Sequence, residues 1–185
     1  MAIQQKRMTY SEFEQFIAAP ENRDRKFELI NGEIVEVSPT EFHASIVARI
    51  TLRIGLFVEQ HQSGRIGVEP RHKMPGDDHN AYIPDFAFTS SESALPIVKR
   101  GAVPQMPDLA VEVKSPDDNN LALREKAAYY IANGSRMVWL VYPDYELVEI
   151  YQPDADVQVL NAKDTIDGGA VLPGFTLAVR DIFDV

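Results

Sequence analysis

The chain has 185 residues, 45% of them hydrophobic and 25% charged, and no cysteine. Its length predicts a single domain over residues 1–185, and its apolar content excludes a disordered chain. The missing cysteine excludes disulfide scaffolds, thiolate zinc sites and cysteine nucleophiles, and a formal net charge of −10 argues against tight, nonspecific binding to a polyanion.

At the N-terminus, Gln4, Gln5, Lys6 and Arg7 stand where a signal segment would be apolar, so a cytoplasmic protein is expected. Thr9 with Glu12 forms a capping-box pattern that opens a short helix to about Ala19, stopped by Pro20. Residues 26–30 and 33–37 read as strands joined by Asn31-Gly32, a dipeptide suited to a tight hairpin turn. Thr40 caps a helix over 41–60, in which Phe42, Ile46, Val47, Ile50, Ile54 and Phe57 recur at a helical period. Arg49 and Arg53 interrupt its apolar face, so it is no bilayer span. Three strand-like runs follow, at 65–73, 81–89 and 109–114, with Pro96, Pro104 and Pro107 marking a surface excursion before the third. Pro116-Asp117-Asp118-Asn119 then introduces a helix over 120–133, closed by Gly134. The compact apolar run 136–142 predicts a strand buried on both faces, and 146–151, 157–160 and 175–179 predict antiparallel strands tied by turns. The order implies an α/β (α+β) fold: a mixed sheet flanked by helices, with an N-terminal hairpin and C-terminal antiparallel strands.

The acidity is uneven. Residues 140–185 hold nine acids against Lys163 and Arg180, whereas residues 1–139 hold 19 acids and 16 bases. A basic face could therefore be drawn from Arg49, Arg53, Arg65, Arg71, Lys73, Lys99 and Arg100, although for any one of them a solvated surface with both signs mixed is the simpler reading. There is no glycine-rich phosphate loop, nucleophile elbow or paired-histidine helix motif. What stands out is Pro84-Asp85 in one apolar strand and Glu112-Val113-Lys114 in the next. Side chains at i and i+2 share a strand face, so Glu112 and Lys114 point the same way.

If those strands are neighbours, two carboxylates and an ammonium converge. Two carboxylates about 4 Å apart repel by roughly 4 kcal/mol at an effective dielectric near 20. A divalent cation relieves that repulsion, and hard oxygen ligands suit Mg²⁺ or Mn²⁺. A lysine beside such a site can orient water and neutralise phosphoryl charge, an arrangement suited to phosphodiester hydrolysis. The same residues also read as a lone strand aspartate and an exposed Glu-x-Lys pair.

These residues make the chain resemble the PD-(D/E)XK nuclease superfamily and, more narrowly, the Uma-two family of putative restriction endonucleases. The resemblance runs through 27–34 (Phe-Glu-Leu-Ile-Asn-Gly-Glu-Ile), Ser38-Pro39 with His43, Pro84-Asp85, and 112–116. Lys126, Tyr130 and Gly134 continue it, and it ends with 139–143 and Leu172-Pro173-Gly174-Phe175. It implies a restriction-endonuclease-like fold, metal-dependent DNA hydrolysis and homodimers. By that analogy Asp85 and Glu112 hold Mg²⁺, the Val113 carbonyl adds a ligand, and Lys114 assists the attacking water. The helix lysine Lys126 is a second candidate for that role. Glu28 and His43 match family positions as a third acid and a site histidine. Pairing of Glu28 with Lys26 and simple packing of His43 are the alternatives. Two other functions remain open: a noncatalytic DNA- or protein-binding module on the same fold, and a hydrolase of small phosphate compounds.

Overall fold

The structure, a computed structural model, describes residues 7–185. Gln4, Gln5 and Lys6, on which the expected lack of a signal segment partly rests, lie outside the described residues. The chain folds into two compact units, one built from residues up to Ser38 with 71–83 and 98–105, the other from 39–70, 84–97 and 106–185.

In the first unit, helix α1 (Tyr10–Ala18) begins with the capping box that Thr9 and Glu12 predict: the Thr9 amide donates to Glu12 Oε2 at 2.9 Å and the Glu12 amide to Thr9 Oγ1 at 3.3 Å. Strands β1 (Lys26–Ile30) and β2 (Glu33–Val37) form the expected antiparallel hairpin. Its turn needs positive φ at Asn31 (52°) and Gly32 (79°), which the Asn-Gly pair tolerates. Phe13, Phe27, Leu29 and Ala81 form the core of this unit.

In the second unit, α2 (Glu41–His61), capped by Thr40, is followed at once by β3 (Gly64–Val68), the edge of a mixed sheet of six strands. The others are β4 (Phe86–Ser90), β5 (Leu109–Val113), β6 (Met137–Tyr142), β7 (Leu147–Tyr151) and β8 (Gln158–Asn161), in that spatial order. Only β5 and β6 run parallel, and the crossover between them is α3 (Asn120–Ala132). One face of the sheet meets α2: Phe86, Phe88, Val111, Val113, Trp139 and Val141 bury against Ile46, Ile50 and Ile54. The alternate residues Ala110, Glu112, Leu140 and Glu149 face the other way, where α3 packs on β6 and β7. A small hairpin, β9 (Thr165–Asp167) with β10 (Thr176–Ala178), and the short helix α4 (Arg180–Phe183) complete the unit. No helix among the described residues is long and apolar enough to cross a membrane.

Two predicted strands are shorter in the structure, and proline explains both. The run 65–73 leaves the sheet after Val68, where Glu69 takes φ 52° and Pro70 follows. The run 81–89 joins the sheet only at Phe86, because Pro84 has no amide to give to a ladder. The remaining parts of both runs belong to the first unit, where His72 bridges to Tyr82 and Ala81 to Leu29.

Candidate active site

Neighbouring strands β4 and β5 pair antiparallel with Phe86 opposite Val111, and carrying that register back one residue sets Asp85 opposite Glu112. Glu112 in turn is partnered by Leu140 on β6, and Leu140 by Glu149 on β7. A single row across the sheet therefore holds three buried carboxylates in an otherwise apolar layer. Each has to be satisfied locally, since a buried, unpaired charge costs several kcal/mol or more.

Asp85 is satisfied by the consequences of Pro84. In an antiparallel ladder the residue opposite Val113 would be Pro84, which cannot donate a hydrogen bond to the Val113 carbonyl. The chain bends there, and the Asp85 side chain takes the Val113 amide instead, with Oδ2 accepting at 2.6 Å. The same Oδ2 meets His43 Nε2 at 3.1 Å, while Oδ1 accepts no hydrogen bond among the described residues. His43 stands in the first turn of α2, where its amide donates to the Thr40 hydroxyl that caps the helix. Burial by itself lowers the pKa of this imidazole. The hydrogen bond and charge of Asp85, the charge of Asp118 and the Val113 carbonyl outweigh that and raise it above the ordinary histidine value. The His43 ring thus sits against the carboxylate of Asp85, beside the carbonyl freed by Pro84.

Glu112 points to the α3 face. Its Oε2 accepts from Lys126 Nζ at 2.9 Å and its Oε1 from the Tyr130 hydroxyl at 2.7 Å. Lys126 and Tyr130 are four residues apart on α3 and so share a helix face, which is why one helix can serve both oxygens. Lys114, at the end of β5, turns to the carbonyls of Ser115 (3.0 Å) and Pro116 (3.4 Å). Of the two candidate lysines, the one hydrogen bonded to Glu112 is Lys126. Glu28 belongs to the first unit, where its Oε1 accepts the Ile83 amide at 2.7 Å and holds the segment leading to Pro84.

Glu149, further along the row, was not among the residues the sequence singles out. Arg124 from α3 grips it through Nη2 (2.5 Å) and Nε (3.2 Å), and the hydroxyls of Tyr142 (3.0 Å) and Tyr151 (2.8 Å) donate to its Oε2. Its signal in the sequence is an acid at the centre of the apolar strand Leu147–Tyr151. The candidate basic residues divide between the units: Arg71, Lys73, Lys99 and Arg100 fall in the first, Arg49, Arg53 and Arg65 in the second. Several already face acids, Arg53 with Asp181 at 3.9 Å, Arg71 with Glu14 at 3.5 Å and Lys73 with Asp78 at 3.4 Å.

A mixed sheet flanked by helices, with an aspartate and a Glu-x-Lys on adjacent strands, has the layout of the restriction-endonuclease-like fold. A crystal structure of a putative nuclease belonging to DUF820 from Anabaena variabilis ATCC 29413 shares that fold: 22% identity over 95% of this chain and 97% of the other, with a TM-score of 0.81. The chain belongs to the Uma2 family, described as putative restriction endonuclease, whose model matches residues 11–180. A DrdV–DNA complex solved by cryo-electron microscopy is 15% identical over 76% of this chain and 14% of that one, at a TM-score of 0.38 too low to bear on the fold. No curated protein matches the chain.

Proposed function

We propose that this protein is an endonuclease that hydrolyses DNA phosphodiester bonds with Mg²⁺ or Mn²⁺ at Asp85 and Glu112. The observation that carries the reading is the release of the Val113 carbonyl from the β4–β5 ladder by Pro84, beside Asp85 and next in sequence to Glu112. Among the described residues no three His, Asp or Glu side chains gather as a metal cluster. The donor set is two carboxylates and one main-chain oxygen, which are hard ligands that suit a divalent cation keeping several waters. Asp85 Oδ1, which accepts no hydrogen bond among the described residues, and the Val113 carbonyl are the oxygens assigned to hold it in this reading. A bound cation would supply positive charge to a phosphoryl oxygen and acidify nearby water.

The protein groups then divide the work. His43 fixes Asp85 through Oδ2, leaving the other oxygen without a hydrogen bond among the described residues. Tyr130 orients Glu112 through Oε1, and Lys126, on Oε2, is the lysine assigned to steady the attacking water. Lys114, at the mouth of the strand, is assigned to the phosphate backbone. The family description, putative restriction endonuclease, supports DNA as the substrate. A second reading, a noncatalytic module binding DNA or protein, is favoured by the net charge of −10.

One assay separates the two. Supercoiled plasmid is incubated with Mg²⁺ and wild type, Asp85→Asn or Glu112→Gln, and with wild type in EDTA. Wild type should nick or linearise the plasmid, and each variant should lose about 10² to 10⁴ in rate. Equal cutting by Asp85→Asn, or no cutting by wild type with either metal, would falsify the catalytic reading.

A further inference from the structure

We infer that Arg124 and Glu149 are positioning residues for the active site: together they fix how helix α3 lies across the sheet, and so where Lys126 meets Glu112. The inference rests on the nuclease reading above, in which Lys126 steadies the attacking water. It begins with the helix itself. Leu123, Ala127 and Tyr130 are the buried residues of α3, while Leu121 is 66% exposed. Alanine offers a single methyl, and the Tyr130 hydroxyl is already committed to Glu112. An apolar stripe this thin sets the rotation of a helix about its own axis only loosely. Polar contacts have to finish the task.

Those contacts stand on both sides of the stripe. At about 100° per residue, Lys126 lies about 40° to one side of Tyr130, and Arg124 about 60° to the other side of Ala127. Lys126 reaches toward β5, to Glu112 Oε2 at 2.9 Å. Arg124 reaches toward β7, to Glu149 through Nη2 (2.5 Å) and Nε (3.2 Å). Glu112 and Glu149 are both partnered by Leu140 of β6, so they share one sheet face two strands apart, about 10 Å at ordinary strand spacing. Rolling the helix either way pulls one of the two contacts open, so the pair of them defines its roll.

The anchor at β7 is built to stay still. Glu149 is buried, and the hydroxyls of Tyr142 (3.0 Å) and Tyr151 (2.8 Å) hold its Oε2 where the guanidinium meets it. The Arg124 fork takes both carboxylate oxygens, which fixes direction as well as distance, as a single ammonium would not. An ion pair whose arginine is 53% exposed adds modest net stability, so what this one supplies is geometry. Lys126, by contrast, has a long, flexible stem whose ammonium goes where the helix backbone carries it. Displacing a reacting group by about 1 Å can cost about a hundredfold in rate. Arg124 and Glu149 thus bear on the reaction without touching the reacting atoms.

The test has two arms. In the first, full-chain wild type, Arg124→Gln, Lys126→Met and the double variant cut supercoiled plasmid in Mg²⁺ under single-turnover conditions. Arg124→Gln should slow cleavage about ten- to a hundredfold at unchanged DNA affinity, and should slow Lys126→Met no further. A full additional loss in the Lys126→Met background overturns the inference, since Arg124 would then act on its own. In the second arm, lysines are acetylated with a soluble N-hydroxysuccinimide ester and read by mass spectrometry, with circular dichroism confirming the fold. Lys126, 13% exposed, should react more slowly than exposed Lys99 in wild type, and Arg124→Gln or Glu149→Gln should speed it at least about fivefold. Lys73, 16% exposed and paired with Asp78 in the other unit, should keep its rate. An unchanged rate at Lys126, or an equal rise at Lys73, overturns the clamp whether or not the protein cuts DNA. No cutting by wild type overturns the nuclease reading instead, and the labelling arm then decides the clamp by itself.

Discussion

Lys126 and Glu112 show how much a single contact weighs in the buried row. Their side chains are 13% and 6% exposed, so removing the ammonium strips a buried carboxylate of its charged partner while Tyr130 still donates to it. Lys126→Met should cost about 3 kcal/mol or more in denaturant unfolding, the usual result of orphaning one partner of a buried pair. Adding Glu112→Gln should recover much of the loss, since the amide carries no charge to strand. Glu149 gives a pH signature instead. Burial pushes its carboxyl up, but Arg124, Tyr151 and Tyr142 together hold it below the ordinary value of 4.5. A depressed carboxyl adds stability above its unfolded pKa and loses it as pH falls through the folded one. Glu149→Gln should therefore narrow its deficit against wild type as pH drops below 4.5, which thermal unfolding across that range would reveal. Tyr142, raised by burial and by its bond to Glu149, is pushed up to about 12. Its protonated form is the stable one, so this contribution is present below pH 10 and fades as pH climbs through about 12. Absorbance titration of wild type against Tyr142→Phe should lose a tyrosinate step there.

At the scale of elements, β3 and β4 are held so close that one residue lacks room for a side chain. A Cβ on Gly64 would collide with the Thr89 carbonyl and lie 2.8 Å from Phe88 Cε2. Backbone cannot yield as a flexible side chain can, so Gly64→Ala should destabilise the fold by about 1–3 kcal/mol, read as a lower denaturant midpoint with an unchanged slope. The two prolines act at the same scale. Pro70 and Pro84 lie at the points where β3 ends and where the chain enters β4 from the other unit. Pro84 has a further effect, because the amide it lacks is the one that would have occupied the Val113 carbonyl. Helix α3 works as a clamp: Lys126 and Tyr130 reach Glu112 on β5, and Arg124 reaches Glu149 on β7, across Leu140 of the strand between.

For the whole molecule, a metal that binds only the folded state must raise its stability. By mass action a ligand at about a hundred times its dissociation constant adds roughly 2.7 kcal/mol. Differential scanning fluorimetry with Mn²⁺ or Mg²⁺ should show a rise in the unfolding temperature of wild type that Asp85→Asn abolishes. A rise of the same size in that variant would place the metal elsewhere. Salt matters at this scale too. With nine acids in residues 140–185, the second unit should bind DNA only through a limited patch, giving a shallow dependence of affinity on salt.

Local chemistry alone was enough to read the elements whose cause is local. Thr9 with Glu12 announces its capping box, Asn31-Gly32 its turn, Thr40 its cap, and 136–142 a strand buried on both faces. The candidate pair Asp85 and Glu112 was legible too, because a carboxylate in an apolar strand stands out against its neighbours. What the sequence could not disclose is which group answers each charge. His43 lies 42 residues from Asp85, Lys126 lies 14 from Glu112, and Arg124 lies 25 from Glu149. Partners at such separations depend on strand order and register, which only the packed sheet decides. The same holds for the extent of 65–73 and 81–89. Alternating apolar residues make each read as one strand, whereas the tertiary fold divides each between two units at a proline.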